Sequence, residues 1–181
     1  MKKSVKTAVL FGCLIFLAAL VGLPTAHGYL HPADPLILLA GMLLPTPHAM
    51  ISVGLASLLA DLGKGYYLLA PVTMVIKVLT VWAVKGLLKT KPAQKFPEVM
   101  VSLAALIPIP AYYLTELIYQ LCTGGKLQAF ATAAVTLRKD SVQAVASILL
   151  FILIYDIYKG IKAGREEIRR LKAEKEEAPK E

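Results

Sequence analysis

At 57% hydrophobic residues and a mean hydropathy of +0.64, this chain of 181 residues is too apolar for a soluble globular domain. Six membrane spans of about 20 residues would consume roughly 120, leaving short loops and a tail but no room for a soluble domain. The formal charge of +8 sits on basic residues that flank hydrophobic runs without any nucleic-acid-binding motif, so the bilayer, not a nucleic acid, is the expected partner.

The first predicted helix runs from about Val5 to Leu23 and stops at Pro24. Two processing signals compete there: Lys2-Lys3 before an apolar stretch ending near Ala26-His27 has the outline of a signal peptide, and Leu10-Phe-Gly-Cys13 that of a lipoprotein box. Phe11 is bulky for its place in such a box, and an uncleaved helix is the expectation. A loop from Pro24 to Pro35 follows, carrying Tyr29, His31 and Asp34. The second helix, Leu36 to Leu44, is short and is closed by Pro45 and Pro47. The third, about His48 to Leu62, carries Gly54, Ala56, Ser57 and Ala60, small residues that let neighbouring backbones approach.

The loop from Asp61 to Pro71 leads to the fourth helix, Val72 to Leu88, and a basic loop runs from Lys89 to Pro97. The fifth spans about Glu98 to Leu121 with a bend expected at Pro108 and Pro110. The stretch Leu127–Leu137 reads equally as a short helix or a packed loop, and the sixth helix runs from about Ser141 to Ile161. The expected fold is therefore an all-α integral membrane protein, a six-helix transmembrane bundle over residues 1–162. Residues 163–181, which mix Lys and Arg with Glu, form a charged cytoplasmic tail. Cys13 and Cys122 lack CxxC spacing, which excludes a disulfide scaffold and gives no sign of a metal site.

Charge sets the expected orientation. With both termini cytoplasmic, 15 basic residues face inward and 4 outward, Lys77 aside, as the positive-inside rule prefers. Lys77 itself lies in a run otherwise fit only for lipid, where a charge costs roughly 2.5–3.5 kcal/mol on insertion scales. Thr73 and Lys77, four apart, share a face of the fourth helix. On the fifth, Tyr112, Glu116 and Tyr119 form a stripe flanked by Tyr113 and Gln120, while Asp61 closes the third and Lys139, Asp140 and Gln143 open the sixth. Together these form an outward-facing cup for a small polar molecule. The competing reading makes Lys77 structural glue, paired with Glu116 or Asp61, and the tyrosines an interfacial belt.

At these residues the chain resembles a family. The segments Gly28 to Pro45 (GYLHPADPLILLAGMLLP), Gly54 to Tyr66 (GLASLLADLGKGY) and Ala70 to Lys77 (APVTMVIK) resemble substrate-binding S components of energy-coupling factor (ECF) transporters. Tyr112-Tyr113-Leu-Thr-Glu116 and Asp140-Ser-Val-Gln143-Ala are similar to that family's fifth- and sixth-helix patterns. The resemblance covers about residues 5–162. It departs at His31 to Ala33, where Asn and Gly are expected before the Asp, and at Asp140-Ser141, which replaces Gly-Asn.

The resemblance implies a vitamin-capturing subunit of a prokaryotic cell membrane, with no cofactor of its own. ATP would be used by two partner ATPases, acting through a transmembrane coupling protein. The implied substrate site comprises Tyr29, Asp34, Asp61, Tyr66, Thr73, Lys77, Tyr112, Tyr113, Glu116, Asp140 and Gln143, with the first loop as a lid. Ala8 and Gly12 are the implied docking residues for the coupling protein. The vitamin stays open among pantothenate, riboflavin, a folate and a thiamine-type pyrimidine precursor. The alternatives are a stand-alone secondary transporter, for which inverted repeats are lacking, and a non-transporting structural subunit. No HExxH or GxSxG motif supports an enzyme.

Overall fold

A computed structural model describes residues 2–25, 28–123 and 126–177. Helix α1 (Lys2–Leu20) is followed by a hairpin of two three-residue strands, β1 (Leu23–Thr25) and β2 (Gly28–Leu30), with Leu23 opposite Leu30. This antiparallel pair lies in what the sequence presents as a plain loop; Ala26 and His27, at the end of the signal-peptide-like stretch, are outside the described residues. Helix α2 (Ala33–Leu43) ends at Leu44, which adopts an extended ψ of 153° because Pro45 follows it. Helices α3 (Thr46–Gly63) and α4 (Ala70–Leu87) each carry a proline in the first turn, where no intrahelical N–H is lost.

The basic loop contains a short helix, α5 (Lys91–Lys95). The bend expected in the fifth helix is a true break: α6 (Pro97–Leu103) passes through a 3₁₀ turn, Ala104–Leu106, into α7 (Pro108–Cys122). Pro108 and Pro110 lack the N–H groups that would continue the ladder, which forces the change of winding there. The Leu127–Leu137 stretch is helical and continuous with the sixth predicted helix. Both belong to α8 (Lys126–Glu177), 52 residues without interruption, which also runs on through the expected tail boundary at residue 162. At 1.5 Å per residue such a helix is about 78 Å long, more than twice the ~30 Å hydrocarbon core of a bilayer.

Two apolar clusters hold the bundle. Ile15, Ile37, Ala40, Ala49, Val53 and Val81 join α1, α2, α3 and α4. Leu38, Val84, Val101, Ala104 and Phe151 join α2 and α4 to α6, the 3₁₀ turn and α8. Helix α2 belongs to both, and seven of its eleven residues are buried. That burial explains how so short a helix persists. Close approach is built in: a Cβ on Gly41 would stand 3.1 Å from Val84 Cγ1, and one on Gly54 3.0 Å from Val78 Cγ2. The opposite surface is greasy, with Val9, Leu17, Ile51, Leu59, Trp82 and Leu153 all exposed, as lipid contact requires. Among the described residues three helical stretches are long and apolar enough to cross a membrane, Ala70–Leu87, Pro97–Cys122 and Phe130–Leu171. Ser4–Leu20 and Ala33–Leu43 are apolar but shorter. The chain is an all-helical bundle of membrane type apart from the small hairpin.

Candidate functional site

One end of the bundle gathers the close of α1, the start of α2, the close of α3 and the residues around position 140 of α8. Lys64, just beyond α3, shows this directly: its Nζ donates to the Ala19 carbonyl at 2.5 Å and lies 3.4 Å from His31 Nδ1. The opposite end is closed by Lys85, whose Nζ donates to the Leu44 carbonyl at 2.5 Å and so caps α2. Between the helices at the first end lies a cavity of about 320 Å³.

Nine of the eleven substrate-site residues expected from the sequence line this cavity: Asp34, Asp61, Tyr66, Thr73, Lys77, Tyr112, Glu116, Asp140 and Gln143. Tyr113, half-buried on α7, is not among the lining residues, because its neighbour Tyr112 takes the inward position on the helix. The side chain of Tyr29 is outside the described residues. Sequence reasoning passed over Ser57, Thr115 and Thr136 as lining groups, together with the apolar wall of Ala33, Ile37, Ala105 and Ala144, whereas Lys139, expected in the cup, does line it. The small-residue spacing of α3 carried a signal for Ser57, and the place of Thr136, four residues before Asp140, one for the inward face of α8.

Lys77 is buried, and its Nζ pairs with Asp34 Oδ1 at 2.5 Å. This corrects both partners expected for a purely structural lysine, Glu116 and Asp61. It also corrects the placing of Asp34 on a lid loop. Asp34 sits in the first turn of α2, where the helix dipole favours a carboxylate. The ammonium lies 5.7 Å from the centroid of the Tyr112 ring, within cation–π range, and Thr73 lines the cavity beside both.

Gln143 completes the arrangement. Its Oε1 accepts from the His31 backbone N–H at 2.9 Å, and its Nε2 donates to the His31 carbonyl at 2.7 Å and to Asp34 Oδ2 at 3.2 Å. One amide thereby fixes the segment entering α2 and the second carboxylate oxygen of the buried ion pair. Glu116 accepts from Gln120 Nε2 at 2.8 Å, one turn along α7. On α8 the helical period puts Asp140, Gln143, Ala144 and Ser147 on one face. Asp140 is buried, with Oδ1 3.4 Å from Lys139 Nζ. Burial, then the nearby Lys64 ammonium, hold the His31 imidazole below its ordinary pKa, while burial alone does the same to Lys64 against the opposing pull of Asp61. The site thus offers an apolar wall, an oriented carboxylate–ammonium pair, hydroxyls and amides, and an aromatic face. This is equipment for binding a polar solute. The described residues contain no group of three or more His, Cys, Asp or Glu suited to holding a metal.

The residues implied for docking lie elsewhere. Ala8 is buried against α3, where Ser52 Oγ donates to its carbonyl at 2.6 Å, and a Cβ on Gly12 would stand 3.1 Å from the same Oγ. These small residues therefore serve internal packing of α1 on α3. They also border an apolar groove of about 410 Å³ between the two helices, with His48 at its rim.

A family model described as "ECF-type riboflavin transporter, S component" matches residues 1–160. A solved structure, described as "Structure and mechanism of the S component of a bacterial ECF transporter", superposes with a TM-score of 0.61. The match is 16% identical and covers 87% of this chain and 98% of that chain, so it speaks for the fold. No curated protein matches the chain.

Proposed function

From the fact that this chain belongs to the family of ECF-type riboflavin transporter S components, we propose that it captures a water-soluble vitamin in the cavity between α2, α4, α7 and α8. Riboflavin is the first candidate, since it is the solute named for the family. The family is one of transporter components, not of enzymes. The cavity end would face outward and both termini the cytoplasm of a prokaryotic cell, as the distribution of basic residues favours. The partners would be a transmembrane coupling protein and its two ATPases, which would use the ATP; the apolar groove bordered by Ala8 and Gly12 offers a surface for the first of these.

The observation that carries this reading is the Lys77–Asp34–Gln143 constellation, buried at the wall of a cavity. A lysine needed only as glue is served by one carboxylate. Here the carboxylate is further oriented by an amide from another helix, and an aromatic ring covers the ammonium. Such pre-organisation lowers the entropic cost of binding a solute. Tyr112 and the half-exposed Tyr66 are placed to flank a flat ring.

A thermal-shift panel of water-soluble vitamins on the purified protein in detergent tests the proposal. A ligand present at about 100 times its Kd adds about 2.7 kcal/mol of stability. A strong shift with riboflavin supports the reading. A flat panel on folded, ligand-free protein sinks it and favours a structural membrane subunit.

A further inference from the structure

Helix α8 outruns the bundle. Tyr155 is the last of its described residues to be buried, yet the helix continues unbroken to Glu177. Between Lys162 and Glu177 only Ala163, Gly164, Ile168, Leu171 and Ala173 are uncharged, so this part stands in water and not in lipid. A solvated helix has no need of large apolar side chains. Even so, Ile157, Ile161, Ile168 and Leu171 are each between 53 and 55% exposed.

Their spacing is that of a seam. Ile157, Ile161, Gly164, Ile168 and Leu171 follow one another at intervals of four, three, four and three. Ile161 and Ile168 thereby take the a positions of a heptad, and Ile157, Gly164 and Leu171 the d positions. The seam is turned away from the chain's own bundle. It continues the row of exposed Leu150 and Leu153, and a Cβ on Gly164 would have nothing within 4 Å. Most of it lies past residue 160, outside the region shared with the family.

Charge points to what covers it. The e positions hold Arg165 and Lys172, and the g positions Glu167 and Glu174. In a parallel pair of identical helices each e flank faces the other helix's g flank, so base meets acid on both sides. In an antiparallel pair e faces e and g faces g, and like charges meet. Copies inserted in one membrane by the same charge rule share one orientation, which makes the favourable arrangement the one available. Ile at a with Leu at d favours two strands in parallel coiled coils. A membrane surface fits less well: an interfacial helix offers Lys and Arg to anionic lipid, and here one edge of the stripe is acidic.

We propose that α8 from Ile157 onward is a self-recognition element, which pairs with the same segment of a second copy as a short parallel coiled coil outside the membrane. Two heptads form a weak pair in free solution. Two copies held in one bilayer meet at a raised effective concentration, and Gly164 at the centre of the seam lets the backbones come close. This goes beyond vitamin capture and does not depend on it.

Site-directed cross-linking of the full-length protein in liposomes tests the proposal, in a background carrying Cys13→Ser and Cys122→Ser. Gly164→Cys and Ile168→Cys, on the seam, should form disulfide-linked dimers several-fold faster than Glu166→Cys and Arg170→Cys, on the far side of the helix. Adding Glu167→Lys/Glu174→Lys to Ile168→Cys makes both flanks basic and should abolish the cross-link, as should Arg165→Glu/Lys172→Glu, which makes both acidic. Reconstituting those two reversed variants together should restore it. All these positions are exposed or lie past the last buried residue, and unchanged melting curves would show the bundle intact. Equal cross-linking on both sides of the helix, none on the seam, or no response to charge reversal overturns the proposal. None on the seam of a folded protein would assign the stripe to a different protein, such as the coupling protein or an ATPase.

Discussion

Gln143 grips the backbone of His31 from both sides, accepting from its N–H at 2.9 Å and donating to its carbonyl at 2.7 Å, across 112 residues of sequence. The same amide nitrogen reaches Asp34 Oδ2. Helix α8 therefore closes the cavity by holding the entrance of α2 in place, and the geometry of the Lys77–Asp34 pair depends on a residue that belongs to neither helix of that pair.

Removing that grip should loosen the entrance to α2. Gln143→Ala leaves the His31 peptide group and one Asp34 oxygen without their partner, at a cost of about 1–3 kcal/mol. Hydrogen exchange should show the His31 amide losing protection while the core of α4 keeps its own. Unchanged exchange at His31 would mean that the hairpin, not Gln143, fixes the segment.

Breaking the buried ion pair one side at a time should be worse than removing both sides. Lys77→Met or Asp34→Leu alone should each cost about 3–5 kcal/mol, because a charge is left unpaired in the interior, whereas the double variant should recover most of that loss. Thermal unfolding in detergent reads the stability and ligand titration reads the site. A double variant that is stable but no longer binds assigns the pair to the ligand, and one that binds normally makes it structural.

Stability should fall as the medium is acidified through the range of His31. Its folded pKa is depressed by burial first and by Lys64 second, with Lys77 acting the same way and Asp34 and Asp61 opposing. The unfolded chain, with a histidine pKa near 6.5, then binds the proton more readily than the native state. The contribution is absent above about pH 6.5 and grows as a penalty below it, down to the folded pKa. Lys64→Met should raise the folded pKa and flatten that loss. Parallel melting curves at pH 5 and 7.5 check the sign.

Close approach of α2 to α4 should tolerate no bulk. A Cβ at Gly41 already meets Val84 at 3.1 Å, so Gly41→Leu should cost about 1–3 kcal/mol through overpacking. It should also weaken ligand binding, because pushing α2 away from α4 would draw Asp34 from Lys77, which sit on the same two helices. Trimming the neighbour in Gly41→Ala/Val84→Ala should restore much of the fold. Full stability in Gly41→Leu would show that α2 has room to shift.

Local chemistry determined what the sequence by itself made legible. Runs of apolar residues set the helices, Pro45 and Pro47 separated α2 from α3, and Pro108 and Pro110 broke the fifth helix where hydropathy alone would have continued it. Proline acts on its own backbone neighbours, so its effect is written in the chain. The inward polar faces were legible for the same reason: Thr73 with Lys77 and Tyr112 with Glu116 recur at helical spacing. Tertiary structure decided the pairings. Lys77 shares its cavity with acids on four other helices, Asp34, Asp61, Glu116 and Asp140, and the choice of Asp34, 43 residues away, followed from the fit of α2 between α4 and α8. The hairpin after α1, the bond from Gln143 to His31 and the burial of Asp140 arise likewise from segments that meet only when the bundle closes. Long-range contacts of this kind depend on the relative placing of whole helices, which no local pattern encodes.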